Sequence, residues 1–330
     1  MKRIISFLKT DIKIINSYFL FTMILIILVC IGYSSYALFS FSKTSSNVIE
    51  ATVGELKKSG TDTLIKLTDN KDNSGLYTIT HAKDSTLQIG NDKDITEYRY
   101  RGASPKNYVT FNNEVWRIIG IFPTDDGTGN IENRIKLVRN ESIGNKAWNT
   151  SATNNWTTAS LQTELNGTYL TGLTSTAQSM IGNAKYYLGG ATRSNITKDV
   201  MYSNERQISG NMYYVGTNPT NWVGKVAVMY ASDYGYAVPD ICIQNLNTYK
   251  DDTTNCVNTN WLYNIKVTEW VLNQVTKNAY AFNIYGGNYI NSGGRPVTSS
   301  YAVRPTLYLK SNVKITGGSG TSTNPYTLGL

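Results

Sequence analysis

Apolar residues are spread along this chain in three distinct ways. Residues 1–17 form a short basic stretch, residues 18–41 run for twenty-four positions without a charge, and everything beyond is polar and Tyr- and Asn-rich, with apolar residues gathered in short runs. At 1.5 Å per residue the uncharged run would reach about 36 Å as a helix, against about 30 Å of bilayer hydrocarbon. The pattern predicts one transmembrane signal-anchor helix over residues 18–41, contacting the lipid bilayer. Four basic residues (Lys2, Arg3, Lys9, Lys13) against Asp11 precede it, which keeps residues 1–17 in the cytoplasm and places the C-terminal part outside the cell. The alternative is a cleaved signal peptide with Ser35-Tyr36-Ala37 as its small-x-small site, which would release a secreted protein.

Residues 42–95 read as an extracellular stalk, with weak helical patterning over residues 48–58 and 63–68 broken by Ser59-Gly60 and by the polar residues 69–75. A head domain is expected over residues 96–330, long enough for one sizeable core. Residues 114–122 (EVWRIIGIF) are apolar on both faces and predict a buried strand. The turn Asp125-Asp-Gly-Thr-Gly129 leads to a partner strand, residues 134–139, whose alternation predicts one wet face. Short helices are expected over residues 159–166 and 176–181, the second capped by Ser175. Residues 222–230, 303–309 and 313–315 predict further strands. These elements make an α+β head with short antiparallel strands, few short helices and long loops.

Charge and chemistry narrow the function. The net charge is +8, of which +3 lies in residues 1–17; no dense Lys/Arg run follows Lys43, which leaves nucleic-acid binding without support. Outside the cell, Cys242 and Cys256 are expected to form a disulfide, worth about 3 kcal/mol for a loop of this size, while Cys30 falls in the apolar run. Two cysteines and one histidine do not make a closed zinc site, and no metal or cofactor is implied. With His81 alone, and that in a Thr/Lys/Asp-rich stretch where a solvated side chain is expected, Ser-His-Asp and Cys-His catalysis are disfavoured. Glu164, Glu205, Asp233 and Glu269 leave a carboxylate-dependent hydrolase of cell-wall polymer as an alternative, since sequence spacing does not say which carboxylates face each other.

Residues 278–301 have the composition of a binding loop: Tyr supplies broad amphipathic contact at low entropy cost, while Asn, Ser and Gly supply adaptable hydrogen bonds. Tyr280, Tyr285, Asn288, Tyr289, Asn291 and Tyr301 are the ligand-binding candidates there. Trp148 and Trp156, in Asn/Thr/Ser-rich loops, join them, as does Asp233 in Ser232-Asp-Tyr-Gly-Tyr236, where the alternative is a turn with Asp233 bonded to backbone amides and Gly235 at positive φ. Trp116 and Trp222, inside apolar strands, are expected in the core.

The segments Tyr98-Arg-Tyr-Arg-Gly-Ala-Ser-Pro-Lys-Asn-Tyr-Val109, Val115-Trp-Arg-Ile-Ile-Gly-Ile-Phe122, Met229-Tyr-Ala-Ser-Asp-Tyr-Gly-Tyr-Ala237 and Val303-Arg-Pro-Thr-Leu-Tyr-Leu309 resemble a family of membrane-anchored or secreted surface proteins of low-GC Gram-positive bacteria. That resemblance implies a surface location and transfers no activity. The closing Arg304-Pro305 strand is similar to the end of C-type-lectin-like domains, including relatives of the sulfatase-modifying factors, which implies a C-type-lectin-like head with variable Tyr/Asn/Ser loops near its last strand. The glutamate-proline-asparagine sugar motif of that group does not occur here. The function expected is a membrane-anchored cell-surface protein whose head binds a glycan or protein through Tyr/Asn/Trp loops; the alternative is a structural envelope component without a specific ligand.

Overall fold

The computed structural model describes residues 21–23, 25–28, 58–69, 75–194, 196–208, 218–264, 267–276 and 279–330. Residues 1–17, Cys30, the Ser35-Tyr36-Ala37 site and Asn278 lie outside the described residues, as does most of the 18–41 run; residues 21–23 and 25–28 are helical. The chain divides into the units Met1–Lys57 and Lys58–Leu330. The boundary therefore falls at Lys58 rather than at residue 96, and residues 58–95 contribute a helix and a strand to the larger unit.

That unit is built on sheets. The strands are β1 (Gly75–His81), β2 (Ile95–Arg101), β3 (Tyr108–Phe111), β4 (Glu114–Asp125), β5 (Ile131–Arg139) and β6 (Asn145–Ala147). They continue with β7 (Ala184–Tyr187), β8 (Asn221–Gly224), β9 (Val226–Val228), β10 (Glu269–Gln274), β11 (Tyr280–Tyr285) and β12 (Tyr289–Ile290). The last are β13 (Arg295–Pro296), β14 (Ser300–Ala302), β15 (Pro305–Tyr308), β16 (Lys314–Gly317) and β17 (Thr327–Gly329). The helices are short: α1 (Gly60–Ile65), α2 (Ser160–Glu164), α3 (Ser175–Met180), α4 (Lys198–Arg206) and α5 (Ala231–Gly235).

One sheet has seven strands in the order β1-β2-β4-β5-β15-β9, with β3 also on β4; a second has six in the order β12-β11-β10-β14-β6, with β13 also on β11. Pairing is antiparallel apart from β10 against β14. At Gly120 strands β4 and β2 approach so closely that a Cβ would lie 2.1 Å from the Tyr98 carbonyl oxygen, which is why the otherwise bulky β4 run EVWRIIGIF carries a glycine there. Both sheets feed one hydrophobic core, which takes Leu64 from α1 and Leu76 from β1 as well as Trp116, Trp148, Trp156 and Trp270. Caps follow their local chemistry: Ser59 Oγ accepts from Asp62 N at 3.1 Å, and Thr174, one residue before the expected cap, accepts from Ala177 N at 3.2 Å.

Three expectations are corrected. The described residues are 36% strand and 21% helix, with sheets that are mostly antiparallel or mixed, so the α+β, C-type-lectin-like head does not describe the fold. Among the described residues no helix is long and apolar enough to cross a membrane, so the expected 18–41 helix is not found among them. The longest of the labelled helices, α4, has nine residues, because the apolar repeats of helical spacing are one or two turns long and most apolar runs are two-sided strands. β5 is the third correction: residues 134–138 are buried on both faces, because Ile135 and Leu137 enter the hydrophobic core on one face and Lys136 is neutralised by buried Asp233 on the other.

Candidate functional site

Charged residues enter the core because strand alternation puts them there. On β2, Glu97 and Arg99 point to the same face, β5 brings Lys136, α5 brings Asp233, and α4 ends with Glu205 and Arg206. All six are buried. Arg99 bonds Glu97 and donates from Nη1 to Asp233 Oδ1 at 2.9 Å; Lys136 Nζ donates to Asp233 Oδ2 at 2.5 Å. Glu205 accepts from Arg206 Nη1 (2.8 Å), Ser232 Oγ (2.6 Å) and Asn273 Nδ2 (2.9 Å). Three carboxylates thus face three cations, which is the condition for tolerating charge in a low dielectric.

His81 closes the network at its rim. Its Nε2 lies 2.9 Å from Glu97 Oε1 and its ring stacks on Tyr202 at 3.5 Å, so the solvated histidine expected from sequence is half-buried and paired. Burial drives the Glu97 carboxyl up, but Arg99 and His81 outweigh it and hold the group at about 2. Burial likewise raises Asp233 while Lys136 and Arg99 bring it below the usual carboxylate range. Glu205 goes the other way, since burial prevails over its partners, and burial also lowers Lys136. A cavity of about 20 Å³ beside Glu97, Tyr202 and Arg206 has room for about one water and no substrate.

The sequence-selected carboxylates therefore do not form an accessible pair. Asp233 and Glu205 are sealed in the network, Glu164 pairs with Lys146 at 2.6 Å, and Glu269 takes a bidentate contact from Arg304 at 2.6 and 2.7 Å. Asp233 is thus corrected from ligand contact to buried anchor; its segment is a helix whose Tyr230 N donates to Asp233 Oδ2, not a glycine-centred turn. Trp148 and Trp156 are also corrected: both are 0% exposed, their rings lie 5.1 Å apart, and Trp148 Nε1 donates to the Val271 carbonyl. Loop position in sequence had concealed them because the loops fold back over the second sheet. Among the described residues no group of three or more His, Cys, Asp or Glu side chains could hold a metal ion.

The Tyr-rich candidates separate into a surface pair and supporting residues. β11 and β12 form a hairpin in which Tyr285 is directly opposite Tyr289, and the rings lie 5.6 Å apart. Gly286 and Gly287 make the turn at φ of +55° and +79°, and a Cβ on Gly287 would lie 1.8 Å from the Asn264 carbonyl oxygen, so the backbone there is open only to glycine. Tyr285 is 40% exposed at the tip. The Arg295 guanidinium stands 5.4 Å from its ring and the Lys250 ammonium 5.7 Å from the Tyr289 ring. Lys250 also pairs with Asp251, whereas Arg295 has no ion-pair partner among the described residues. On the same side of β11, Asn283 is fully buried with neither amide atom hydrogen-bonded, and Asn288 Oδ1 at the tip is also unpartnered.

The other candidates lie elsewhere. Tyr280 is at the opposite end of β11 on the other face, with the Arg193 guanidinium 5.4 Å from its ring. Tyr301 is on β14, edge-on to Trp270 at 5.0 Å, and Asn291 spends its side chain on Gly293 and Gly294 in the following turn. Arg295 and Lys250 were missed by sequence reasoning, since neither adjoins the tyrosine it flanks along the chain. The buried network had one legible signal, Lys136 in the middle of the apolar run IKLV. The disulfide Cys242–Cys256 is present, with Cα atoms 5.0 Å apart. No family model, no curated protein and no solved structure matches this chain.

Proposed function

We propose that the Lys58–Leu330 unit is a non-catalytic binding module whose contact surface is the Tyr285–Tyr289 pair, and that its ligand is an acidic glycan. The observation that carries this reading is the exposed Tyr285 ring against the half-buried Tyr289 ring, with a guanidinium beside it that has no ion-pair partner among the described residues. Tyrosine faces accept the apolar face of a sugar, and a guanidinium forks onto a carboxylate or phosphate. The disulfide supports a location outside the cytoplasm, at the cell surface. Attachment to a bilayer through residues 18–41, or release after cleavage, rests on the sequence alone.

The test is binding of the full-length chain to a panel of acidic and neutral polysaccharides. Tyr285→Ala with Tyr289→Ala should abolish binding, and Tyr285→Ala alone should weaken it without lowering the melting temperature, because that ring is exposed at the hairpin tip while Tyr289 packs partly on the core. Arg295→Gln should weaken acidic glycans selectively and flatten the salt dependence. Unchanged glycan binding by the double variant removes this site from the reading.

A further inference from the structure

A loop and a groove in the Lys58–Leu330 unit complement each other but do not meet in one molecule. Ile241, just before the disulfide-closed loop, and Ile243, inside it, flank Cys242 and are 55% and 86% exposed, while Cys242 between them is buried. Two branched apolar side chains so exposed on a stapled loop form a preorganised knob that loses little freedom on docking. On the other side, Leu67, Leu76, Tyr100, Ile315, Tyr326 and Lys106 line a predominantly apolar groove of about 630 Å³, with Leu67 itself 52% exposed.

Strand alternation fixes their relation. Arg101 on β2 holds Asp240, next to the knob, at 2.7 Å, and the Gly102 N–H donates to the Ala237 carbonyl at 3.0 Å. Tyr100, the neighbouring residue, points to the opposite face of β2, where Leu76 is its cross-strand partner in the groove. Knob and groove therefore lie on opposite faces of the β1–β2 edge, and the knob does not reach its own groove. Their rims carry opposite charge. The loop has Asp251 and Asp252 against Lys250, Asp240 being answered by Arg101 and Lys198, and the groove and its α1 border have Lys58, Lys66 and Lys106 against Asp62 and Asp69.

We propose that copies of this chain associate head to tail, with Ile241 and Ile243 of one seated in the groove between Leu67 and Tyr326 of the next. The contact joins two different patches, so each addition leaves a free knob at one end and a free groove at the other. The product is an open chain unless its rotation closes a ring. The proposal goes beyond the glycan reading and does not depend on it, because neither Tyr285 nor Tyr289 takes part.

Sedimentation of the full-length chain in mild detergent tests it. The parent should form a concentration-dependent series of oligomers, weakened by salt. Ile243→Asp and Leu67→Arg, both at exposed positions, should each lower the association constant about 100-fold, the scale expected for burying a large apolar side chain. Mixed together, the two variants should form a one-to-one pair and nothing larger, because one retains the groove and the other the knob. A parent that stays monomeric, variants that associate like the parent, or a mixture that fails to pair overturns the proposal. So does a monomeric parent whose pelleting with anionic lipid vesicles is lost in Ile243→Asp, which would assign the knob to a lipid surface.

Discussion

Asp233→Asn isolates the energetics of the buried network, because it removes one charge with almost no change of shape. In the parent, Asp233 takes Arg99 at 2.9 Å, Lys136 at 2.5 Å and the Tyr230 N–H at 2.9 Å. Arg99 retains Glu97 after the substitution, but Lys136 is fully buried and loses the one carboxylate it bonds among the described residues. Breaking one side of a buried pair costs about 3–5 kcal/mol. At roughly 2–4 °C per kcal/mol for a unit of this size, the melting temperature should fall by roughly 10 °C. Burial already lowers the lysine pKa, so without Asp233 the folded state favours neutral Lys136 while the unfolded chain keeps it protonated. The unfolded state then binds the extra proton, and the variant should regain stability as pH rises through the alkaline range. Lys136→Met in the Asp233→Asn background removes the stranded charge at similar volume and should restore most of the loss. Thermal and urea unfolding of the four proteins in the cycle measure the coupling directly. A variant melting within about 2 °C of the parent, or a double variant no better than Asp233→Asn, would refute the reasoning that charge balance holds this core together.

Glu97 makes the same network acid-sensitive: its carboxyl sits at about 2 when folded against 4.5 in the open chain. A depressed carboxylate stabilises above the unfolded value, so this contribution of about 3 kcal/mol should be complete above about pH 4.5 and lost as pH falls toward 2. Urea unfolding across that window should show the slope in the parent and a flatter one in Glu97→Gln. Replacing Cys242 and Cys256 by serine should cost about 3 kcal/mol of stability in the loop-entropy description, read as a lower urea midpoint with an unchanged fold by circular dichroism.

What the sequence made legible follows from which signals are local. The run EVWRIIGIF marked β4 as buried, and the two isolated cysteines marked their bridge, because apolar density and compartment chemistry need no knowledge of neighbours. Trp148 and Trp156 misled for the opposite reason: polar residues around a tryptophan describe its segment, while burial depends on what folds over it. Residues 58–95 looked like a stalk because β1 is apolar at few positions; at an edge it gains its place by pairing with β2 along seven residues. Lys136 was visible as an anomaly inside an apolar run, yet its partner is 97 positions away, and only the fold shows that the charge is answered. Tyr285 and Tyr289 were legible as candidates, and the three-residue turn Gly286-Gly287-Asn288 brings them face to face. Arg295 and Lys250 arrive from β13 and from the disulfide loop, outside the reach of any local pattern.

That disulfide loop links the two proposals. It carries Ile241 and Ile243 on one part and Lys250, beside Tyr289, on another; it also docks on the hairpin through Ile290 N to the Leu246 carbonyl at 2.9 Å. The bridge therefore does more than close a chain segment: it fixes the knob and the cation flanking the aromatic pair with a single constraint. Neither position is held by core packing alone, because Ile243 is almost fully exposed and Lys250 reaches Tyr289 from the surface. Reduction should accordingly weaken both association and glycan binding, whereas Ile243→Asp touches only the first and the Tyr285→Ala, Tyr289→Ala pair only the second. A loop that merely added stability would lower the melting temperature on reduction and leave both interactions at their parental strength below it.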